Sequence, residues 1–285
     1  MGVLDRVKMG AVLTKDSLLV MGHNPRLFLF PLVSGVAGLA FLTVFVGVTF
    51  GLMAIAPEGG ALVGLFLIYL VLTFVATFFT AGLVHQTRTV LEGGEVDLRA
   101  GLAAAWEVKG PLFVWALVSA TVGIVINAIE NSDSRLARLF GTLFGVAWTL
   151  LTFFVVPVIV FERASTTGMF ERSAGTFKRT WGEAPISLVG IQLVSLVVVL
   201  PFVLVGGLLF SAGVAVAGIA IVLVGILLSY LVGQTLQGVV KTTLYLYAEE
   251  GLRPAEFDDV DFDRLAGDEP ARTADPGRAT TGGFR

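Results

Sequence analysis

The sequence predicts an all-α, polytopic membrane protein: six transmembrane helices arranged as three helical hairpins, with amphipathic helices at the membrane interface. Three observations carry this reading. The chain of 285 residues is 55% hydrophobic, 14% charged and has a mean hydropathy of +0.87, whereas soluble chains carry roughly 25% charge. The charges gather between apolar blocks instead of inside them. The blocks reach the roughly 20 residues that a helix needs to cross about 30 Å of hydrocarbon. Helix is the form demanded there, because it satisfies its own backbone hydrogen bonds where water is absent.

Residues 1–26 come first. Asp5, Arg6, Lys8, Lys15 and Asp16 interrupt the apolar residues, which excludes the unbroken core of a cleavable signal peptide and predicts an amphipathic helix lying on the membrane surface. The stretch GHNPRLFLFPLVSG at 22–35 marks its end. Proline fits the first turn of a helix and disfavours helical geometry in the residue before it, so His23 and Asn24 fall where the chain bends ahead of Pro25. There they reach water and head groups and need no ligand.

A transmembrane domain of residues 27–248 follows. Its spans read Leu27–Ala54, Ala61–Val84, Leu112–Ile129, Leu139–Phe161, Ile186–Phe210 and Val214–Val240. The turn between the last two is placed near Ser211 to Gly213. Between spans, residues 97–108 and 169–181 have amphipathic patterns. On a helix the second puts Phe170, Ala174, Phe177 and Trp181 on one stripe, with Arg172, Lys178 and Arg179 away from it. Trp106 and Trp181 are the expected interfacial anchors. Residues 249–285 hold ten acidic residues and five arginines, too polar to bury a core, and predict a solvated, disordered acidic tail.

Orientation follows from where the Lys and Arg residues stand, since these are retained in the cytoplasm. All of them except Arg135 and Arg138 fall on one side of the six spans. The protein is therefore expected in the cell membrane with both termini cytoplasmic.

Self-similarity suggests how the chain is assembled. Arg88 and Arg163, Gly93 and Gly168, and Trp106 and Trp181 keep one common separation. LFLFPLVSGVAG after Pro25 parallels LFVWALVSATVG after Pro111, and Leu193-Val194-Ser195 follows Pro185. The expected unit is a surface helix, a proline and a transmembrane hairpin, used three times.

The chemistry expected of these residues is sparse. Absence of cysteine excludes disulfides, thiolate metal sites and cysteine nucleophiles. There is no His-Glu-x-x-His and no phosphate-binding glycine loop, so no catalytic residue, metal or cofactor is expected. No charged residue lies within a span; Asn127, Gln192, Gln234 and Gln237 are the polar groups there, with Pro31, Pro157 and Pro201 as kink positions. Gly206, Gly207, Gly213, Gly218 and Gly225 read as points of close helix approach. On the last span Gln234, Gln237 and Lys241 share a face, and with His85 and Arg88 they would line a vestibule contacting lipid phosphate or a solute. Snorkelling at a helix end accounts for His85 and Lys241 equally well.

NPRLFLFPLVSG, the mid-chain SAGTFKRTWGE and the Tyr245-Leu246-Tyr247-Ala248-Glu249 exit resemble an uncharacterised multi-pass membrane family from haloarchaea. More distantly they are similar to the membrane-spanning part of membrane-anchored glycerophosphodiester phosphodiesterases. That similarity implies no activity, because the catalytic part of those enzymes is a TIM barrel of about 250 residues. No connection here holds one, and the family's His-Arg pair is missing. The expected role is a non-enzymatic scaffold or membrane subunit whose partners are membrane lipids and another membrane protein, with no nucleic acid. A permease for a small or lipophilic solute is the alternative, and a lipid-acting enzyme comes third.

Overall fold

The computed structural model describes residues 3–57, 59–164, 167–180 and 184–252. In chain order the helices are α1 (Val3–His23), α2 (Leu29–Ile55), α3 (Gly60–Leu91), α4 (Leu98–Glu107), α5 (Lys109–Glu130), α6 (Arg135–Leu151), α7 (Val155–Glu162), α8 (Gly168–Arg179), α9 (Ala184–Ser211) and α10 (Ala215–Glu250), with a 3-10 turn at Pro25–Phe28. No strand occurs among the described residues. Six stretches are long and apolar enough to cross a membrane, matching the predicted spans in number and order. The protein is an all-α polytopic membrane protein. Along the chain, a shorter helix followed by two long spans occurs three times: α1 before α2 and α3, α4 before α5 and the α6–α7 pair, α8 before α9 and α10.

The prolines act as the sequence suggests. Pro25 opens the 3-10 turn, Asn24 precedes it with an extended φ of −124°, and the Asn24 side chain donates to the Val20 carbonyl at 3.0 Å. Pro111 and Pro185 lie in the first turns of α5 and α9, where an N–H has no helical acceptor anyway. At the opposite end of the spans the connections 56–59, 131–134 and 212–214 are short. Gly213 takes a φ of +85° in the last of them, a conformation that suits glycine.

Burial is concentrated at one end. Odd-numbered spans begin and even-numbered spans finish at the end that collects Arg26, Arg88, Lys109, Arg163 and Arg179, hereafter the basic end. There the fully buried Leu27, Phe30, Leu83, Leu112, Phe154, Ile159, Leu236 and Tyr245 form one continuous apolar core. The cause lies in helix length. α3 and α10 have 32 and 36 residues, about 48 and 54 Å at the usual helical rise, well beyond about 30 Å of hydrocarbon. Their surplus turns emerge at the basic end, where α1, α4, α7 and α8 pack around them. Elsewhere the spans bury little, between 6% and 33% of each apolar window, and Leu39, Phe50, Leu62, Phe140, Leu208 and Val216 stand exposed as lipid-facing groups.

Small residues set the closest contacts. Phe30, the fourth and last residue of the LFLF run, is fully buried in a slot made by two glycines, so that a Cβ at Gly82 or Gly101 would meet its ring at 2.8 and 2.6 Å. Gly238 of α10 receives Leu83 of α3, Gly225 receives Phe202, and Gly206 and Gly218 bring α9 and α10 into backbone contact. Two glycines differ from the sequence reading: Gly207 faces open space and Gly213 serves the turn. α1 also differs from a helix lying only on a surface, because Leu13, Ser17, Val20 and Met21 are buried where it packs on α9 and α10.

The largest correction concerns the fourth span, expected as one helix over Leu139–Phe161. It breaks between Leu151 and Val155 into α6 and α7. The reason is Pro157: its ring would strike the Phe153 carbonyl four residues back, and it has no N–H to offer that carbonyl. At the third position of a new helix the same proline is harmless.

Gly238→Val should force α10 away from Leu83 and cost about 1–3 kcal/mol. Thermal unfolding in detergent reads it as a lowered Tm, while Gly207→Ala, facing open space, should leave Tm within the roughly 0.5 kcal/mol expected of a neutral surface change.

Candidate functional site

The polar groups of the basic end converge on the broken span. Inside a bilayer or a protein core, freed backbone groups must find partners. Here one side chain serves both edges of the break. The Ser173 hydroxyl of α8 donates to the Leu151 carbonyl at 2.8 Å and accepts the Phe154 N–H at 3.1 Å. Ser173 is fully buried, with Met169, Thr176, Phe177 and Thr180 beside it on the inner face of α8. That face is rotated by one residue from the predicted stripe. Phe170 is half-buried against Trp115 of α5 and Trp148 of α6, which stack at 5.9 Å. Trp181 lies outside the described residues.

Charge pairs then fasten α8 and α7 to the long helices. Arg172 pairs with Glu162, the last residue of α7, and Arg179 and the Thr176 hydroxyl both reach Glu249 of α10. The other Glu162 oxygen accepts the Tyr245 hydroxyl at 2.7 Å. The Tyr245 ring stacks on Phe161 at 5.5 Å, and the Arg88 guanidinium lies over the same Phe161 ring at 5.3 Å. Arg88 forks onto both Glu250 oxygens at 2.8 and 2.9 Å and donates to Glu92 at 2.8 Å. Such two-point guanidinium pairs fix geometry as well as charge. α3, α7, α8 and α10 are thereby joined in one polar network. Glu249 and Glu250, assigned by sequence to the acidic tail, belong instead to the helix.

α4 is pinned separately. Gln86, buried on α3, accepts the Asp97 N–H at 2.7 Å, and the Asp97 carboxylate caps α4 through the N–H groups of Arg99 and Ala100. His85 contacts the Gln86 amide at 3.3 Å through Nδ1. Trp106 at the end of α4 is 60% exposed, edge-on to Phe78, with the Lys109 ammonium 3.8 Å above its ring, an arrangement open to the membrane surface.

The five residues expected to share a vestibule are divided. Arg88 is occupied by carboxylates. Gln234 lines a narrow gap with Phe30, Ser34, Thr80 and Leu83. Lys241 instead reaches the broken span, its ammonium 4.8 Å from the Phe153 ring centroid, and neither it nor Arg88 borders that gap. Gln237 is half-buried between Gln234 and Lys241 along α10. Sequence reasoning passed over Ser173, Glu162 and Glu249. The signals present were Pro157, which weakens the helix four residues upstream, and the Tyr245-to-Glu249 spacing of one helical turn, which carries the α10 face past Ala248.

Residues 60–255 match the model of a family described as "Family of unknown function (DUF6159)", and the chain belongs to that family. The matched region contains the whole network from Arg88 to Glu250. No curated protein and no solved structure matches the chain.

Ser173→Ala removes one hydroxyl, strands the buried Phe154 N–H and takes the partner from the part-buried Leu151 carbonyl, so a loss of about 2 kcal/mol is expected. Hydrogen exchange in nanodiscs should show the Phe154 amide exchanging about thirtyfold faster, with the helices distant from α8 unchanged.

Proposed function

We propose that this protein is a non-enzymatic subunit of the cell membrane, with both ends of the chain in the cytoplasm, that works through contacts with lipid and with another membrane protein. The observation that carries the reading is the division between a single interlocked layer at the basic end and hairpins whose outer halves bury little and present apolar flanks on all sides. A layer built in this way holds three hairpins in fixed relation. The flanks offer surface to acyl chains or to foreign helices. The cytoplasmic placement rests on the distribution of Lys and Arg. Scarce Lys relative to Arg, together with the acidic tail, supports a source with a salt-rich cytoplasm, as in haloarchaea.

The permease reading has less support. The gap beside Gln234 has a volume of about 10 Å³, about the least that admits one water molecule.

Native mass spectrometry of the full chain released from nanodiscs should find a lipid or a second membrane protein retained. Saturable flux of a polar solute in liposomes, with nothing retained, would replace this proposal with the permease.

A further inference from the structure

Of the Lys and Arg side chains that the structure describes, Arg88 and Lys241 alone are not exposed. Their surroundings differ. Arg88 has two carboxylates within 2.8 Å. Lys241, on the same layer, makes no ion pair and no hydrogen bond among the described residues, and the face of Phe153 is its one electron-rich neighbour. Even exposed arginines of this layer are provided for: Arg163 with Glu107, Arg172 with Glu162, Arg179 with Glu249. A half-buried ammonium without a counter-ion is unfavourable, and a ring face compensates it only in part. The charge is therefore set for an anion that the described residues do not supply.

The position narrows the chemistry. Lys241 lies within the last turns of α10, where the long helices leave the hydrocarbon, at the level of the α4 and α8 helices. Anionic groups abundant at that level are phosphates, which basic groups between transmembrane helices recognise as lipid head groups. Lysine suits a phosphate as a point charge with three rotatable donors. Carboxylates elsewhere in the network are engaged by Arg88, Arg172 and Arg179, so they do not oppose an incoming anion freely.

We propose that Lys241 binds the phosphate oxyanion of an anionic phospholipid beside the break in the fourth span. This rests on the membrane-contact reading above and gives it a ligand and a residue. No bond is made or broken.

The test uses the full chain in nanodiscs of phosphatidylglycerol mixed with phosphatidylcholine, with retained lipid read by native mass spectrometry. Wild type should hold one phosphatidylglycerol in preference to phosphatidylcholine. Lys241→Leu should lower that retained fraction about tenfold, the loss of one charge-assisted contact. Lys241→Arg should keep it, as should Lys109→Leu at the exposed Trp106 position. Unchanged amide protection at Phe154 certifies the fold of each variant. Inorganic phosphate added to phosphatidylcholine-only nanodiscs separates the sources. Protection of wild type but not Lys241→Leu by phosphate alone would make the ligand free phosphate and overturn the lipid assignment. Equal phosphatidylglycerol retention in wild type and Lys241→Leu would overturn the site while leaving the broader membrane-contact reading standing. Solute flux abolished by Lys241→Leu would remove that broader reading.

Discussion

A backbone carbonyl or amide set loose inside a membrane protein must be given a partner, and the fourth span sets both loose at once. Pro157 favours the break, and Ser173 answers it from a different helix. From that bond the rest of the basic end follows. With α8 drawn against the break, Arg172 and Arg179 face Glu162 and Glu249. With α7 free to set its own direction, Phe161 and Glu162 come to lie against Tyr245 and Arg88. An unbroken span would have carried these side chains along the α6 axis instead. The paired charges are half-buried or exposed, so their separate contributions are modest. Their value is mutual: each pair holds a helix that another pair also holds.

Architecture was legible because it depends on composition and length. Six apolar blocks, three prolines in first turns and the one-sided Lys and Arg distribution need no tertiary knowledge. The turn near Gly213 was equally local. What escaped was relational. Nothing in FERSAGTF states that Ser173 has a partner twenty residues upstream, and the amphipathic stripe chosen from Phe170 and Phe177 favoured size over contact. In a helix wedged between other helices, serine and threonine can occupy the inner face while a phenylalanine edges outward between two tryptophans. Hydropathy patterns miss that because the hydroxyls of Ser173, Thr176 and Thr180 find hydrogen-bond partners while buried. The candidate site was legible in part: Lys241 and Arg88 stood out as the basic groups nearest the spans, but which of them had a carboxylate depended on Glu250, reached only when α10 is seen to continue.

Two kinds of packing coexist in the molecule. At the basic end, interlocked side chains, a buried aromatic slot and polar ties resemble the interior of a soluble helical protein. Within the spans, adhesion depends on glycines that let backbones touch, as at Gly206 and Gly218. Family membership over residues 60–255 encloses the interlocked part without α1 and α2, so the polar ties from α3 to α10 are contained in the matched region while the Phe30 wedge is brought from outside it.

The connections opposite the basic end, residues 56–59, 131–134 and 212–214, are scarcely longer than the turns themselves. A molecule built in this way is nearly faceless on that side. Among the described residues it offers an approaching water-soluble protein three tips, with Arg135 and Arg138 in the first turn of α6 beside the middle one, so recognition from there has little to grip. Under the proposed function, a partner has more surface to meet along the bilayer or where the longer helices emerge.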